Sequence, residues 1–468
     1  MTSIDTALGR LSTLLGSGGV LSGADVRARM SGWGSQKPCE AGAILRPRST
    51  EEVSAILRIC SELGQPVVPA GGTTGLVEGH IAHGDELLLS LELMNRIEEI
   101  DPANRFAVVE AGVPLQALQE AAGRHSLLYP LDLGARGTAT IGGNISTNAG
   151  GNRVIRFGMT RDMVLGLEAV TADGSVISAM NRMIKNNAGY DLKQLFIGTE
   201  GTLGIVTRAV LRLREAPQSQ VTGFVAVPSY RNVLTLLRRI DRGLGGMLSA
   251  FEVMWKSFYD LVTTEPAKNR PPIPADHPFY VLIEAMGGDQ EADQARFEAV
   301  LGEALEDGLI ADAVIAKSDA ERAALWAMRD DVAQVARFWP IFTFDVSLPI
   351  SLMEGYVAEV EAGLKAAWPN ERHVIFGHLG DGNVHIVVGV GEAGAAPRER
   401  VERLVYDPLE ARGGSVSAEH GIGLEKRAWL GHSRSEAELA LMRTLKAAMD
   451  PKGILNPGKV LGPAGRPH

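Results

Sequence analysis

A chain of 468 residues exceeds what one hydrophobic core can organise, so two or more domains are expected. Its 46 basic and 56 acidic side chains give a net charge of -10, which speaks against a nucleic-acid partner, because phosphate affinity rests on clustered Lys and Arg. The 45% apolar and 22% charged composition is that of a soluble globular protein. Cys39 and Cys60 are too few for a disulfide framework and lack metal-site spacing. No apolar run reaches the length of a membrane span, and the N-terminus lacks the basic start and apolar core of a secretory signal. A cytoplasmic protein is expected.

Residues 1–36 read as a helical lead-in, with Leu8, Leu11, Leu14 and Leu15 at helical spacing. From 37 to 215 short apolar strands alternate with helices and Gly-rich turns, including a helix over 51–63 and strands over 87–91 and 107–110. The run Val67-Val68-Pro69-Ala70 reads as a buried strand that opens into Gly71-Gly72-Thr73-Thr74-Gly75-Leu76. Glycine lets the backbone approach an anion closely, so that consecutive amides can converge on phosphate, and the threonine hydroxyls add donors. A second Gly-rich stretch carries Leu133, Gly134, Thr138, Gly142, Gly143, Asn144 and Thr147. Taken singly, either loop reads more simply as a tight turn. The pair, about sixty residues apart, suggests a long diphosphate-bearing ligand held from both sides.

Near Glu215-Ala216-Pro217-Gln218-Ser219 the chain turns polar and proline-bearing, marking a domain boundary. Beyond it, strands are expected over 222–227, 279–284, 341–346, 373–377 and 385–390, alternating with helices. Antiparallel strands with helices on one face, in a ferredoxin-like arrangement, fit this pattern. Ser435-Glu436-Ala437-Glu438 has the form of a capping box for a last helix ending near Asp450-Pro451, and residues 462–468 read as frayed.

The second half holds its own chemical cluster. In Gly377-His378-Leu379-Gly380-Asp381-Gly382-Asn383-Val384-His385 a turn between two apolar strands brings His378 and His385 onto neighbouring segments, and Ser417-Ala418-Glu419-His420-Gly421 follows downstream. Two imidazoles and the Glu419 carboxylate make a three-ligand set with open positions, as a catalytic divalent metal requires. Histidines of an ordinary turn and core explain the spacing equally well. Gly453-Ile454-Leu455-Asn456-Pro457-Gly458-Lys459-Val460 is not a nucleotide P-loop, since Val460 cannot coordinate magnesium and Pro457 removes an amide donor.

The two Gly-rich loops, with the segment Tyr190-Asp191-Leu192-Lys193-Gln194-Leu195-Phe196-Ile197-Gly198-Thr199-Glu200-Gly201-Thr202-Leu203-Gly204-Ile205-Val206-Thr207, resemble the flavin-binding domain of the vanillyl-alcohol-oxidase and p-cresol-methylhydroxylase superfamily. The His378–His385 motif, Glu419-His420-Gly421-Ile422-Gly423 and the ending Asp450-Pro451-Lys452-Gly453-Ile454-Leu455-Asn456 resemble the FAD-linked D-2-hydroxyacid dehydrogenases, which include D-lactate and D-2-hydroxyglutarate dehydrogenases. The resemblance implies an α+β fold: a two-part FAD-binding domain over 37–215, a ferredoxin-like antiparallel substrate (cap) domain with the metal site over 216–450, and a tail over 451–468 returning to the flavin. It implies FAD contacts at Gly71, Gly72, Thr73, Thr74, Gly75, Leu76, Leu133, Gly134, Thr138, Gly142, Gly143, Asn144, Thr147, Glu200, Gly201, Gly204, Ile205 and Asn456. It further implies that His378, His385 and Glu419 bind zinc or manganese, that His420 is the catalytic base and a substrate contact, that Asn383 contacts substrate, and that Arg329 grips the substrate carboxylate.

The expected reaction is oxidation of a D-2-hydroxy acid to the 2-oxo acid. The metal binds the substrate hydroxyl and one carboxylate oxygen, His420 removes the proton, and the α-hydrogen leaves as hydride to flavin N5. No histidine lies within 71–76, so the FAD is expected to be non-covalent, although His80 and His83 are near in sequence. A metal-dependent hydrolase would leave the Gly-rich loops unexplained, and a non-redox flavoprotein related to alkyl-glycerone-phosphate synthase would leave the metal ligands unexplained. In one respect the chain departs from the hydroxyglutarate enzymes: Thr343 stands where they have a lysine, and Ala333 where they have a threonine. A monocarboxylic or bulkier 2-hydroxy acid is then at least as well suited. The partners expected are this small acid and an electron acceptor, whether quinone, electron-transfer protein or oxygen, with a homodimer left open.

Overall fold

The computed structural model describes residues 3–32 and 37–462. Residues 463–468, part of the stretch read as frayed, lie outside the described residues. The chain folds as two compact units. One comprises Met1–Gly150, Met159–Ala216 and Glu419–His468; the other comprises Gly151–Gly158 and Pro217–Ala418. Among the described residues no helix is long and apolar enough to cross a membrane.

In the first unit the lead-in forms a helix over Ser3–Leu15 that buries Ala7, Leu11 and Leu15 and leaves Leu14 exposed. A four-stranded sheet runs in the order Val20–Leu21, Ala43–Leu45, Leu87–Ser90, Val67–Ala70, and its last three strands are parallel. These parallel strands are buried, which accounts for their nearly unbroken apolar sequence. The helix Thr50–Leu63 is fixed at both ends. Ser49 accepts from the Glu52 amide at 3.3 Å, and Gly64 closes the helix in the left-handed region at φ 65°. Its buried Val53, Ile56, Leu57 and Cys60 recur at helical spacing on one face. A second sheet is antiparallel, in the order Ile97–Asp101, Phe106–Glu110, Ile205–Arg212, Val164–Val170, Val176–Ala179.

The last helix, Glu436–Met449, carries the capping box at Ser435 and Glu438. The chain then returns to the parallel sheet. The Val67 amide donates to the Ile454 carbonyl at 2.8 Å, and the Asn456 amide to the Val67 carbonyl at 2.8 Å. The tail thus extends the edge of the strand that feeds the Gly71 loop.

The second unit is built on a seven-stranded antiparallel sheet ordered Asp312–Ile315, Ser219–Val227, Phe279–Gly287, Leu248–Trp255, Arg372–Gly377, Asn383–Gly389, Phe342–Ser347. Its first four strands and the helices Tyr230–Leu244 and Gln290–Glu306 follow one another as strand, helix, strand, strand, helix, strand. With sheet order 4-1-3-2 this is the ferredoxin-like unit. The other three strands widen the sheet beyond that unit and carry the histidines. Sequence reading had not drawn Leu248–Trp255 or Asp312–Ile315 as strands. Leu248–Trp255 is buried on both faces, so it shows no alternation, and Ser249 and Glu252 interrupt its apolar run. An apolar core including Phe224, Met254, Phe258, Tyr259, Tyr280, Leu325, Met328 and Phe376 packs on this sheet.

In the first unit the Gly-rich loops meet at van der Waals limits. A Cβ added at Gly72 would fall 1.9 Å from the Thr138 carbonyl oxygen, whereas one at Gly75 would meet nothing nearer than His80 Nδ1 at 3.6 Å. Backbone cannot yield to the first contact as a side chain can. Gly72→Ala should therefore cost about 1–3 kcal/mol, the usual range for overpacking, while Gly75→Ala stays near wild type. Urea unfolding of both variants checks this, and equal midpoints would contradict it.

Candidate active site

The first unit presents a cradle of backbone donors. The strand Val67–Ala70 ends in a loop in which, among the described residues, the amides of Gly71 through Leu76 donate to no protein acceptor. Thr73 holds a left-handed φ of 52°, which turns the backbone there. Gly71 packs against Thr140 Oγ1 and Gly143, and Gly72 against Thr138, so the two Gly-rich stretches are neighbours. Near these loops and the returning tail, three buried polar atoms have no hydrogen-bond partner among the described residues: Thr140 Oγ1, Asn144 Nδ2 and Asn456 Oδ1. Orphaned groups of this kind are costly unless a ligand or water completes them. Unpartnered amides beside orphaned hydroxyl and amide groups fit a polar, phosphate-bearing cofactor such as FAD.

Other residues expected at the cofactor have visible packing roles. Added Cβ atoms would strike Ala111 at Gly142, Pro69 at Gly201 and Phe196 at Gly204. The Thr147 hydroxyl donates to the Gly143 carbonyl at 3.1 Å, Ile205 is buried in its strand, and Leu133 and Gly134 lie in a turn with Gly134 exposed. The Glu200 carboxylate accepts from the Ile422 amide at 2.7 Å and the Gly423 amide at 2.9 Å, so it fastens the turn that follows His420. Burial pushes the Glu200 carboxyl up, against the two amides and Lys426, which favour its ionised form. The Glu200 carbonyl and the Gly79 carbonyl both accept from Asn456 Nδ2, at 2.7 and 3.0 Å.

In the second unit, antiparallel register does the assembling. Asp345 and Phe376 both stand opposite His385, and Ser347 stands opposite Asn383. His378 follows directly on the strand Arg372–Gly377, and its ring lies 5.3 Å from that of His385, edge to face. Asn383 Nδ2 donates to Asp345 Oδ1 at 2.6 Å, which orients the amide and leaves its buried Oδ1 without a partner. The Ala418 amide donates to Asp345 Oδ2 at 3.2 Å, so the chain is anchored one peptide bond before Glu419 and two before His420. His378 and His385 thus stand side by side in the second unit, and Glu419 and His420 follow the anchored Ala418 directly in the chain.

Arg329 lies in the helix Asp319–Asp330 and is buried. Its Nε donates to Glu252 Oε2 at 2.8 Å, and its Nη2 is 3.4 Å from His378 Nε2. Glu252 Oε1 in turn holds His378 Nδ1 at 2.7 Å. Burial by itself pushes the Glu252 carboxyl up; the charges of His378 and Arg329, with their hydrogen bonds, outweigh it and hold it below the usual carboxylate range. Glu252 and Asp345 are the residues that sequence reading missed. A single acid inside an otherwise apolar strand was the available signal, because such a charge requires a partner.

Residues 41–179 match the FAD binding domain family and residues 216–460 the C-terminal domain of FAD linked oxidases. The chain is 42% identical over 424 residues to a D-2-hydroxyglutarate dehydrogenase of Xanthomonas citri pv. viticola, covering 89% of each chain. It is 40% identical to the mitochondrial D-2-hydroxyglutarate dehydrogenase of Bos taurus, over 89% of this chain and 76% of that one. Among solved structures, p-cresol methylhydroxylase with substrate bound superposes with a TM-score of 0.78 at 16% identity, over 100% of this chain and 98% of that one, which is a likeness of fold. With an FAD-binding domain, an FAD-linked oxidase domain and relatives at this identity, the chain belongs to the FAD-linked D-2-hydroxyacid dehydrogenases, a family of oxidoreductases.

Proposed function

We propose that the enzyme oxidises a D-2-hydroxy acid with His420 as base, aided by a divalent metal on His378, His385 and Glu419. The observation that carries the metal assignment is the pairing of the His378 and His385 rings, 5.3 Å apart, with Glu419 following directly on the Ala418 amide that Asp345 anchors. The donor chemistry supports it: two imidazoles and a carboxylate suit zinc or manganese, and with His378 Nδ1 engaged by Glu252 the ligand atom would be Nε2, which lies 3.4 Å from Arg329 Nη2.

FAD is held at the 71–76 amides, with Thr138, Gly143, Asn144 and Asn456 beside them. It is non-covalent on this reading: His80 Nε2 is engaged with the Ser31 carbonyl at 3.0 Å, and burial lowers the pKa of that imidazole. When bound, FAD supplies the acceptor for the two electrons leaving the α-carbon. A metal would supply positive charge at the substrate's hydroxyl and carboxylate oxygens.

The chain's own residues do the rest. Arg329, with Nε tied to Glu252 and Nη2 lying 3.4 Å from His378 Nε2, turns its terminal N–H groups to the substrate carboxylate when substrate binds. Asn383, its amide fixed by the bond from Nδ2 to Asp345, is a contact that positions the substrate. His420 takes the hydroxyl proton as the carbonyl forms. A cytoplasmic homodimer, reoxidised by a quinone, an electron-transfer protein or oxygen, belongs to the same reading.

A monocarboxylic or bulkier 2-hydroxy acid suits this chain at least as well as the hydroxyglutarate named for the relatives, which stays the alternative. Next to the row Asp345, His385, Phe376 on the sheet runs the row Thr343, Val387, Val374, which bears no charge. It offers no cation to a second carboxylate, which supports a monocarboxylic 2-hydroxy acid. Across a panel of D-2-hydroxy acids with an artificial acceptor, monocarboxylic members should match or exceed D-2-hydroxyglutarate in kcat/KM. A preference for hydroxyglutarate of roughly 100-fold or more, about 2.7 kcal/mol of discrimination, would overturn the substrate assignment.

Variants separate the remaining roles. His378→Ala and Glu419→Gln should lose metal while retaining FAD; full metal content in both would displace these ligands. His420→Ala should keep FAD and metal yet lose about 10²–10⁴-fold in kcat, the usual contribution of a general base. A near-normal kcat would leave His420 as scaffolding.

A further inference from the structure

We propose that Glu252 is the positioning residue of this site: one carboxylate that sets His378 for metal binding and Arg329 for the substrate carboxylate at a fixed separation. The inference rests on the metal reading above. Glu252 is 1% exposed, on the strand Leu248–Trp255, and its two oxygens divide the work. Oε1 holds His378 Nδ1 at 2.7 Å and Oε2 holds Arg329 Nε at 2.8 Å.

Because the ring nitrogen facing Glu252 must carry the proton, the neutral imidazole is confined to the tautomer whose Nε2 lone pair is available. A carboxylate behind a metal-binding histidine also orients the ring and strengthens it as a donor. The same anion holds the planar guanidinium by its inner N–H and directs the outer ones away from itself. Metal and substrate carboxylate would thus be registered to one another through a single side chain.

A second buried carboxylate on the same sheet shows what a purely structural acid looks like. Glu284 is 0% exposed and accepts from Arg153 Nε at 3.0 Å, Trp326 Nε1 at 3.0 Å, Ser249 Oγ at 3.0 Å and Gln220 Nε2. None of these partners belongs to the proposed site. Trp326 lies in the same helix as Arg329, so Glu284 anchors that helix without touching a proposed ligand. This makes Glu284→Gln the control for lost stability alone.

The experiment measures affinity for Zn²⁺ by competition with a chromophoric chelator, on the FAD-loaded protein after metal removal. In Glu252→Gln the amide can satisfy one neighbour as acceptor but turns N–H groups toward the other. Zn²⁺ affinity should fall about 10- to 100-fold, the usual effect of removing such a partner, and KM for the hydroxy acid should rise in the metal-replete enzyme. Glu284→Gln should lower Tm and leave Zn²⁺ affinity unchanged. Independently of any variant, ¹⁵N NMR of the wild-type protein with the metal removed should show neutral His378 as the Nδ1–H tautomer.

Wild-type Zn²⁺ affinity in Glu252→Gln, equal losses in both variants, or an Nε2–H tautomer would overturn the role of Glu252. If the wild-type protein takes up neither Zn²⁺ nor Mn²⁺, it is the metal reading that fails.

Discussion

A carboxylate buried in an apolar sheet must be paired, and that requirement organises the chemical end of the second unit. Glu252, Glu284 and Asp345 are all buried on the seven-stranded sheet, and each is answered by side chains or backbone brought from elsewhere in the chain. Removing one partner of such a pair leaves an uncompensated charge, at a cost of about 3–5 kcal/mol, so these contacts restrict which arrangements of the unit are stable. Antiparallel register then decides which groups meet. Asp345 and Phe376 flank His385 because the strands pair as they do; a slip by one residue would send the histidine to the other face. The geometry of the proposed site is a consequence of strand pairing and charge burial acting together.

The first unit solves a different problem, the presentation of bare backbone. Among the described residues, six consecutive amides remain without protein acceptors, where the Gly71 loop packs directly on the Thr138–Thr140 segment and has no ladder to join. What holds this region in place is a set of contacts from distant parts of the chain. Asn456 reaches the carbonyls of Gly79 and Glu200, and Ile454 and Asn456 extend the sheet beside Val67. The Glu200 carboxylate meanwhile secures Ile422 and Gly423. The segment after His420 is therefore tied to the same framework that shapes the cradle, which links the proposed base to the cofactor fold through backbone hydrogen bonds.

Much of this was legible in the sequence because the chemistry resides in short, compositionally unusual segments. Gly71-Gly72-Thr73-Thr74-Gly75 and His378 through His385 are contiguous, and the capping box at Ser435 is a four-residue pattern. Glu252 was not legible: 126 positions separate it from His378 and 77 from Arg329, and nothing in its own strand points to either. The strand itself escaped notice because burial on both faces removes the alternation by which strands are read. The polar, proline-bearing stretch near Pro217 signals a change of unit, whereas the return at Glu419 has no compositional mark. Arg329 was found through its motif, yet its tie to Glu252 emerges only when helix and sheet are packed.

The central claim is that a flavin in this chain receives electrons from the α-carbon of a D-2-hydroxy acid. Anaerobic titration of the purified protein with D-2-hydroxy acids, followed in the visible absorption of the bound flavin, tests it most directly. The account predicts an oxidised flavin spectrum that is bleached by the D-acid and left unchanged by its L-enantiomer. A correctly folded protein without flavin absorption after incubation with FAD, or a flavin that no D-2-hydroxy acid reduces, would contradict it.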